Sequence, residues 1–415
     1  MRDGRIVSVG DAPRKRHQTV IDATGMWLLP GFIQTHIHLC QTLFRGYADD
    51  LRLLDWLKTR VWPMEAAHTP ASLRAATRAA GLELLQSGTT SILTMETVHD
   101  TGVVFEAAAE MGLRATIGKC LMDAETPGAP ARLRESTRAA LEESVALHRQ
   151  FNGSANGRIR AAFAPRFAVS CTRELMEGVA ELSAAGGSIV HSHASEQEDE
   201  VALVREITGL GNIEYFEAVG LASPRLNLAH CIWLDERDMV RLAEHDVKVT
   251  SCPGSNLKLG SGVAPVPALL DRGICVSLGS DGAACNNHLD MFSEMRLAAA
   301  LQAMTLGPGR LTAGRVVAMA TRHGARALGV EDELGSIEVG KRADLILIDS
   351  QGAHLGAAPD PYSAIVYAAR PSDVRLTMVD GEILIKDGQP QHLDAAEIAA
   401  TARDEARRLA ARAGL

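Results

Sequence analysis

The chain has 415 residues, of which 46% are hydrophobic and 22% are charged, and its formal net charge is −9. This size and composition are those of a folded protein with a full core, built as one large domain with an appendage or as two to three smaller domains. The acidic balance excludes the basic surface that binds nucleic acid or anionic membranes. No apolar run reaches membrane-spanning length, so we expect neither nucleic acid nor a membrane as a partner.

Seven cysteines are dispersed along the chain without any Cys-x-x-Cys pair. An odd and scattered set in apolar surroundings indicates reduced thiols that pack in the core. No signal-peptide pattern opens the sequence. Together these features predict a cytoplasmic protein.

Short apolar runs alternate with amphipathic stretches over most of the chain. The strand-like runs are residues 28–38, 89–93, 114–121, 158–163, 188–193, 226–230, 247–251 and 275–278. The helix-like segments include residues 71–86, 132–149, 173–185 and 235–244. Apolar strands separated by helices predict a parallel sheet that is covered on both faces. Eight such units fit an α/β fold of the closed (β/α)₈ barrel type better than an open sheet.

Histidines and one carboxylate stand at the ends of four of these predicted strands. The run PGFIQTHIH at residues 30–38 ends in His36 and His38, whose side chains point to one face of a strand because they are two residues apart. The fifth predicted strand ends in His191 and His193, and the sixth ends in His230. The eighth strand runs into Asp281. A barrel brings the carboxyl ends of its strands together, so we predict a metal site there.

The two ends of the chain have a different pattern. Residues 4–10 resemble a short strand and turn, and residues 335–348 and 374–381 show the period-two alternation and Asp-Gly turns of antiparallel strands. We expect residues 1–27 and 335–390 to form a small β-sandwich beside a barrel of residues 28–334. Residues 391–415 follow as a C-terminal helix, in which residues 403–413 resemble a closing surface helix.

Four motifs in this order resemble the amidohydrolase superfamily: PGFIQTHIH at 30–38, HASE at 193–196, AHC at 229–231 and GSDG at 279–282. The closest similarity is to its mononuclear-metal aminohydrolases, which include adenosine-type deaminases, guanine deaminases and triazine hydrolases. The resemblance implies a distorted (β/α)₈ TIM barrel with a composite β-sandwich, and a homodimer or homotetramer. Members usually carry further residues before the position of Arg2, so we expect a truncated start or a reduced sandwich.

The resemblance also implies a hydrolytic site with one divalent metal ion, zinc first and iron second. It assigns His36, His38, His193 and Asp281 as metal ligands. Metal-bound hydroxide would attack an amino-bearing ring carbon, because a bound metal lowers the pKa of water from 15.7 toward about 7. His191 competes with His193 as a ligand, and the family register favours His193. Lys119 is the only lysine that a second metal could use on these strands, and a structural role suits it better.

Three residues carry the proton transfers that the resemblance implies. Glu196 is the general acid that protonates the ring nitrogen, and a role as a mere helix-start carboxylate is the alternative. His230 orients the hydroxide, and Asp281 passes the water proton to the departing ammonia. A metal-free scaffold of the same fold is a hypothesis of another class, which metal analysis would test.

The substrate-binding residues are less sharply indicated. The blocks LFRGYADDL at 43–51, LDWL at 54–57, VWP at 61–63 and SNLKLGSG at 255–262 resemble adenosine-type deaminases, whose substrates are 5′-deoxyadenosine, methylthioadenosine and S-adenosylhomocysteine. Gln41 and Arg166 instead resemble guanine deaminases, which makes an oxopurine the second candidate and a triazine the third. Trp62 and Phe167 could stack on a planar ring or belong to the core. Glu96, with His99, could contact a ribose or the pocket wall, or Glu96 could lie at the surface.

Overall fold

The computed structural model describes residues 1–10 and 19–415. Within these ranges the chain forms a nine-stranded parallel sheet and a five-stranded antiparallel sheet, with helices packed around the larger sheet. No helix in the described ranges combines the length and the apolar character needed to cross a membrane.

The strands alternate with helices as the sequence predicts. The strands are β1 (Met26–Pro30), β2 (Phe32–His38), β3 (Thr89–Met95), β4 (Arg114–Leu121), β5 (Ile159–Pro165), β6 (Val190–Ala194), β7 (Leu226–His230), β8 (Lys248–Ser251), β9 (Val276–Leu278), β10 (Asp281–Gly282), β11 (Leu345–Asp349), β12 (Val374–Val379), β13 (Glu382–Lys386) and β14 (Gln389–Pro390). The large sheet has the order β10-β2-β3-β4-β5-β6-β7-β8-β9.

The two edges of this order belong to one interrupted strand. After β9 ends, only two residues pass before β10 begins, and β10 pairs in parallel with β2. The eighth barrel strand therefore joins β8 on one side and β2 on the other, which closes the ring. Inside it, the Thr35 hydroxyl lies 2.7 Å from that of Thr250 and 2.6 Å from that of Ser277. The predicted distorted (β/α)₈ barrel is confirmed.

The helices surround the barrel and connect its strands. They are α1 (Leu53–Trp56), α2 (Trp62–Ala66), α3 (Pro70–Gln86), α4 (Gly102–Glu110), α5 (Thr137–Phe151), α6 (Ser154–Gly157), α7 (Arg173–Gly186), α8 (Glu198–Thr208), α9 (Asn212–Ala218), α10 (Glu236–Glu244), α11 (Pro253–Lys258), α12 (Val266–Asp271), α13 (Met291–Leu306), α14 (Ala313–Met319), α15 (Arg322–Ala327), α16 (Pro361–Tyr367) and α17 (Ala395–Ala413). A π-helical turn, Leu57–Val61, joins α1 to α2 without a break. Short 3₁₀ turns span Leu39–Phe44, Ala131–Leu133 and Pro371–Asp373.

The predicted single strand at 28–38 is wrong, because the chain changes sheets at Gly31. Strand β1 pairs with β11 in the small sheet, whereas β2 pairs with β3 in the barrel. A Cβ atom at Gly31 would lie 2.1 Å from Oγ1 of Thr90 on β3. Only glycine permits this close approach of the backbone to the neighbouring strand.

The small sheet has the order β1-β11-β12-β13-β14 and draws on both ends of the chain, as predicted. The predicted strand at 4–10 is wrong for residues 1–10, where the backbone forms only isolated bridges, from Arg5 to Arg2 and to Arg342. Arg114 at the start of β4 joins the two sheets: its Nε and Nη2 groups donate to the Asp344 carboxylate at 2.7 and 3.0 Å. Such a paired and buried guanidinium fixes the relative position of two elements.

The C-terminal helix lies within the predicted range 391–415, but it extends beyond the surface stretch predicted at 403–413 and is not confined to the surface. It begins at Ala395, where the Asp394 carboxylate caps the backbone amides of the first turn. It packs on α3, burying Ile398 and Leu409, and Arg78 of α3 pairs with Glu397 at 2.7 Å. The helix predicted at 132–149 begins later, at Thr137, because Ser136 caps it.

Candidate metal centre and active site

The barrel brings the predicted ligand residues to one point at the carboxyl ends of its strands. His36 and His38 lie at the end of β2, His193 on β6 and Asp281 at the start of β10. The ring nitrogens of the three histidines lie within 4.8 Å of one another, and those of His36 and His230 lie equally close to the Asp281 carboxylate. This is the convergence that the strand-end pattern predicts.

Each of the three histidines uses its Nδ1 atom to bond away from this point. Nδ1 of His38 lies 2.7 Å from the Met95 carbonyl, and Nδ1 of His193 lies 2.7 Å from the Arg166 carbonyl. A carbonyl only accepts hydrogen bonds, so these Nδ1 atoms carry the hydrogen and the Nε2 atoms carry a lone pair. Neutral imidazoles of this tautomer offer Nε2 to a metal.

The third histidine, His36, is oriented by a second histidine instead of a carbonyl. Nδ1 of His191 lies 3.1 Å from the Asn227 carbonyl, so it donates, and Nε2 of His191 is an acceptor. That Nε2 atom lies 2.7 Å from Nδ1 of His36. His36 therefore donates through Nδ1 and presents a bare Nε2, whose pKa burial lowers to about 4. His191 lies behind His36 and holds it, which suits the smaller role that the sequence assigned to His191.

The atoms that face one another at the centre are better suited to binding a cation than to bonding with each other. Nε2 of His38 and Nε2 of His193 lie 3.3 Å apart, and with the hydrogens on Nδ1 both atoms present lone pairs to the centre. Nε2 of His36 is buried without a hydrogen-bond partner in the described chain. Asp281 Oδ1 lies 3.2 Å from His36 Nε2 and 3.3 Å from His38 Nε2. Three lone pairs and one carboxylate around a small space form a suitable donor set for a divalent metal.

Asp281 and His230 are held by α11, the short helix that follows β8. The Ser255 hydroxyl donates to Oδ2 of Asp281 at 2.7 Å. Nδ1 of His230 donates to Oδ1 of Asn256 at 2.9 Å, which leaves His230 Nε2 facing the centre. The backbone of His230 and Asp281 has φ values of 72° and 60°. Side chains rarely adopt this left-handed region, and strain of this kind is concentrated at functional sites.

Glu196 is aimed at the same centre. The alternative role considered for Glu196 was that of a carboxylate at the start of a helix. The helix α8 begins only at Glu198, so Glu196 lies outside it. Its side chain is 6% exposed, and its Oε2 atom lies 3.6 Å from Nε2 of His230. Burial raises the pKa of the Glu196 carboxyl to about 7. A carboxyl with this pKa can donate a proton at neutral pH.

A cavity of about 30 Å³ adjoins these groups. Besides the site residues, Leu53, Trp56, Leu57 and Phe167 line it. The first three come from α1 and the π-helical turn. The run LDWL at 54–57 belongs to the blocks that resemble adenosine-type deaminases, but the sequence did not single out Leu53, Trp56 or Leu57 as wall residues.

Arg166 and Gln41 meet at a carboxylate that the sequence analysis also missed, Glu65. Nη1 and Nη2 of Arg166 donate to Glu65 at 2.6 and 3.3 Å, and the Gln41 amide donates to Oε1 of Glu65 at 3.1 Å. All three side chains are buried. Arg166 therefore lines the cavity with its charge already paired. The motifs that contain Gln41 and Arg166 gave no sign in the sequence that Glu65 is their partner.

Other predicted residues lie beside the cavity rather than on its lining. Glu96 is 1% exposed, so the surface position considered for it is wrong; its carboxylate accepts the amides of Leu39 and Cys40 and supports the end of β2. Trp62 is buried in the core behind the wall. Lys119 forms an ion pair with Glu135.

The comparisons with known proteins agree with this geometry. Residues 27–384 match the model of the Amidohydrolase family. The chain is 42% identical to a 5′-deoxyadenosine deaminase of Methanothermobacter thermautotrophicus, over 95% of this chain and 90% of that protein. It is 37% identical to a 5-methylthioadenosine/S-adenosylhomocysteine deaminase of Pelotomaculum thermopropionicum, over 98% and 94%. The crystal structure of a Xanthomonas campestris adenosine deaminase with bound zinc is 34% identical, with a TM-score of 0.87, over 93% and 87%.

Replacing His191 tests its hold on His36. We expect His191→Phe to weaken zinc binding by about 10- to 100-fold, because His36 loses the acceptor that fixes its tautomer. His191→Gln, which can accept and donate, should recover part of the affinity. Competition with a chelator measures the zinc affinity. His323→Phe, at a half-buried histidine bonded to the Val276 carbonyl, is the control and should bind zinc as the unmodified chain does. Equal zinc affinity of His191→Phe would contradict this role.

Proposed function

The chain belongs to the amidohydrolase family, and on this premise we propose that it is a metal-dependent deaminase of adenosine-type nucleosides. The observation that carries the proposal is the convergence of three bare Nε2 atoms and the Asp281 carboxylate beside a protonatable Glu196. The names of the curated relatives support the nucleoside class. The reaction exchanges an exocyclic ring C–N bond for a C–O bond from water and releases ammonia.

One divalent ion would occupy the centre, held by His36, His38, His193 and Asp281. Zinc is the first choice, since imidazole and carboxylate suit it and a similar deaminase structure contains it. Iron(II) accepts the same donors and is the second choice. When bound, such an ion lowers the pKa of a coordinated water. Two groups of residues in the described chain could hold a metal, and His36 belongs to both of them. Because the two groups overlap at this residue, we propose that they form one site with a single metal per chain.

Glu196 is the proposed general acid. Attack on an aromatic ring carbon places charge on the adjacent ring nitrogen, and a proton delivered there stabilises the product of attack. Burial keeps about half of the Glu196 carboxyl protonated near pH 7, since its pKa is about 7. Glu196 can therefore donate a proton near pH 7, where a carboxyl group of ordinary pKa would be ionised and could not.

Asp281 and His230 are proposed to handle the proton of the attacking water. Oδ2 of Asp281 accepts from Ser255 and lies 3.8 Å from Nε2 of His230, so a proton on either group remains inside the site. His230 Nε2 is fixed as an acceptor through its bond to Asn256 and can orient the water. Asp281 then returns the proton to the departing amine, which leaves as ammonia.

The charge of the pocket favours a neutral heterocycle. Glu65 neutralises Arg166, so the guanidinium is not free to bind an anion. Trp56 and Phe167 offer aromatic surface to a planar ring. The oxopurine alternative relied on Gln41 and Arg166, and both donate to Glu65 in the described arrangement. We therefore rank adenosine-type nucleosides above guanine, and triazines third; assembly as a dimer or tetramer stays a prediction.

A panel of substrates tests the reaction class. Ammonia release is measured for 5′-deoxyadenosine, methylthioadenosine, S-adenosylhomocysteine, guanine and a chlorotriazine. We expect kcat/KM for the best adenosine-type nucleoside to exceed that for guanine by at least about a hundredfold, because unmatched polar groups are costly in a buried pocket. Activity on guanine alone would overturn the ranking.

Removing the proposed acid tests the mechanism. We expect Glu196→Gln to lose at least about a hundredfold in kcat, since general acid catalysis contributes that much, and to keep its metal. Elemental analysis and steady-state kinetics measure both. Glu198→Gln, two residues away on the exposed start of α8, is the matched control and should keep its activity. Normal turnover by Glu196→Gln would contradict the assignment.

The pH dependence follows from the same group. Only the protonated carboxyl donates, so above a pKa of about 7 its fraction falls tenfold for each further pH unit. We expect kcat/KM to fall on the alkaline side with this slope. The measurement is a pH–rate profile with metal content determined at each pH. A rate that rises steadily through the alkaline range, at constant metal content, is the contrary result.

A further inference from the structure

The barrel contains a second and larger cavity at the end opposite to the metal centre. Its volume is about 440 Å³, and it is lined by the beginnings of β4 and β5 and by the residues that precede β6 and β7. In barrels of this type the catalytic groups lie at the other end of the strands. A volume of this size is in the range of cavities that bind small molecules.

Two arginines that line this cavity lack a carboxylate partner. Neither Arg160 nor Arg225 forms an ion pair in the described part of the chain, and Arg160 makes no side-chain hydrogen bond there either. Arg225 donates through Nε to the Ser183 hydroxyl at 3.1 Å. Burial lowers the pKa of the Arg160 guanidinium, which places this cation in a poorly solvated position. Half-buried guanidiniums of this kind are stabilised by an anion.

Nearby arginines show the contrast. Arg114 is bound by Asp344, and Arg158 pairs with Glu382 at 3.4 Å. Arg342 and Glu333 also line the cavity and pair with each other at 3.3 Å, and Arg342 pairs with Asp380 at 2.9 Å. The charge of Glu333 also acts on Arg160, although the two form no ion pair. The chain has a net charge of −9, so carboxylates outnumber the basic side chains. The neighbouring arginines are paired with carboxylates, whereas within the described ranges the two guanidiniums of Arg160 and Arg225 at this cavity are not.

The same cavity also offers hydrogen-bond acceptors. Helices α5, α7 and α15 end at its rim, and the last carbonyls of a helix have no partner within the helix. Gly153, Gly187 and Gly329 line it, and no atom of the described chain lies within 4 Å of where their Cβ atoms would be. The backbone is therefore open to a ligand that brings hydroxyl donors.

We propose that this cavity binds a sugar phosphate. The phosphate would lie at Arg160 and Arg225, which donate to its oxygens, and away from the helix-end carbonyls, whose partial negative charge suits the sugar hydroxyls as donors. Inorganic phosphate alone satisfies the guanidiniums but not the carbonyls, and a free sugar does the reverse. The site is separate from the proposed deaminase centre and shares none of its residues.

Isothermal titration calorimetry on the full chain tests the proposal, with ribose 5-phosphate, inorganic phosphate and ribose as probes. We expect ribose 5-phosphate to bind most tightly, phosphate at least about tenfold more weakly, and ribose not detectably. Arg160→Gln and Arg225→Gln should each weaken ribose 5-phosphate by at least about tenfold, because each loses a charged hydrogen bond. Arg158→Gln is the matched control, since that guanidinium is already paired and lies outside the cavity lining.

The outcomes separate cleanly. Thermal unfolding shows whether each variant is folded, and deaminase activity should be unchanged in all three because none belongs to the catalytic centre. Absence of binding by ribose 5-phosphate would overturn the proposal, as would equal affinity of the unmodified chain and both cavity variants. Equal affinity for phosphate and ribose 5-phosphate would overturn the role of the carbonyls. Failure of the deaminase assay with intact ribose 5-phosphate binding would refute only the proposed function.

Discussion

Bare imidazole nitrogens facing one another are the constraint on which the rest of this structure depends. Nε2 of His38 and Nε2 of His193 lie 3.3 Å apart, and two imidazoles that both present a lone pair at this distance repel each other. A chain pays for this arrangement only when outside bonds hold each ring in place. The carbonyls of Met95 and Arg166 and the ring of His191 supply these bonds. The candidate metal centre is therefore preorganised by neighbours that do not belong to the proposed ligand set.

These outside bonds depend in turn on the closure of the barrel. The carbonyls that orient His38 and His193 belong to β3 and to the residue after β5, so each ring is anchored to a neighbouring strand or loop. Asp281 reaches the centre because β10 pairs with β2, next to His38. The small sheet contributes through Arg114 and Asp344, which tie it to the start of β4. Ligand geometry is thus a property of the whole ring rather than of one loop.

The sequence predicted the parts of this design that follow from short-range periodicity. Alternating strands and helices indicated the barrel, and the spacing of His36 and His38 indicated two side chains on one face. It could not predict the break at Gly31, because the close contact with Thr90 joins residues far apart in the chain. The pairing of Glu65 with Arg166 escaped for the same reason: they are 101 residues apart and meet only in the fold. Trp56 and the arginine-lined cavity are likewise products of tertiary packing.

The π-helical turn between α1 and α2 sets the rotational phase of the pocket wall. Nine residues separate Trp56 from Glu65, and about two and a half turns of a regular α-helix would place them on opposite faces. The wider turn at Leu57–Val61 removes part of that rotation, so that Trp56 lines the cavity while Glu65 reaches the Arg166 guanidinium beside it. A single residue gained or lost in this turn would swing one of the two groups away from the cavity. The length of this helical segment, as well as the identity of the residues at the centre, therefore sets the shape of the cavity wall.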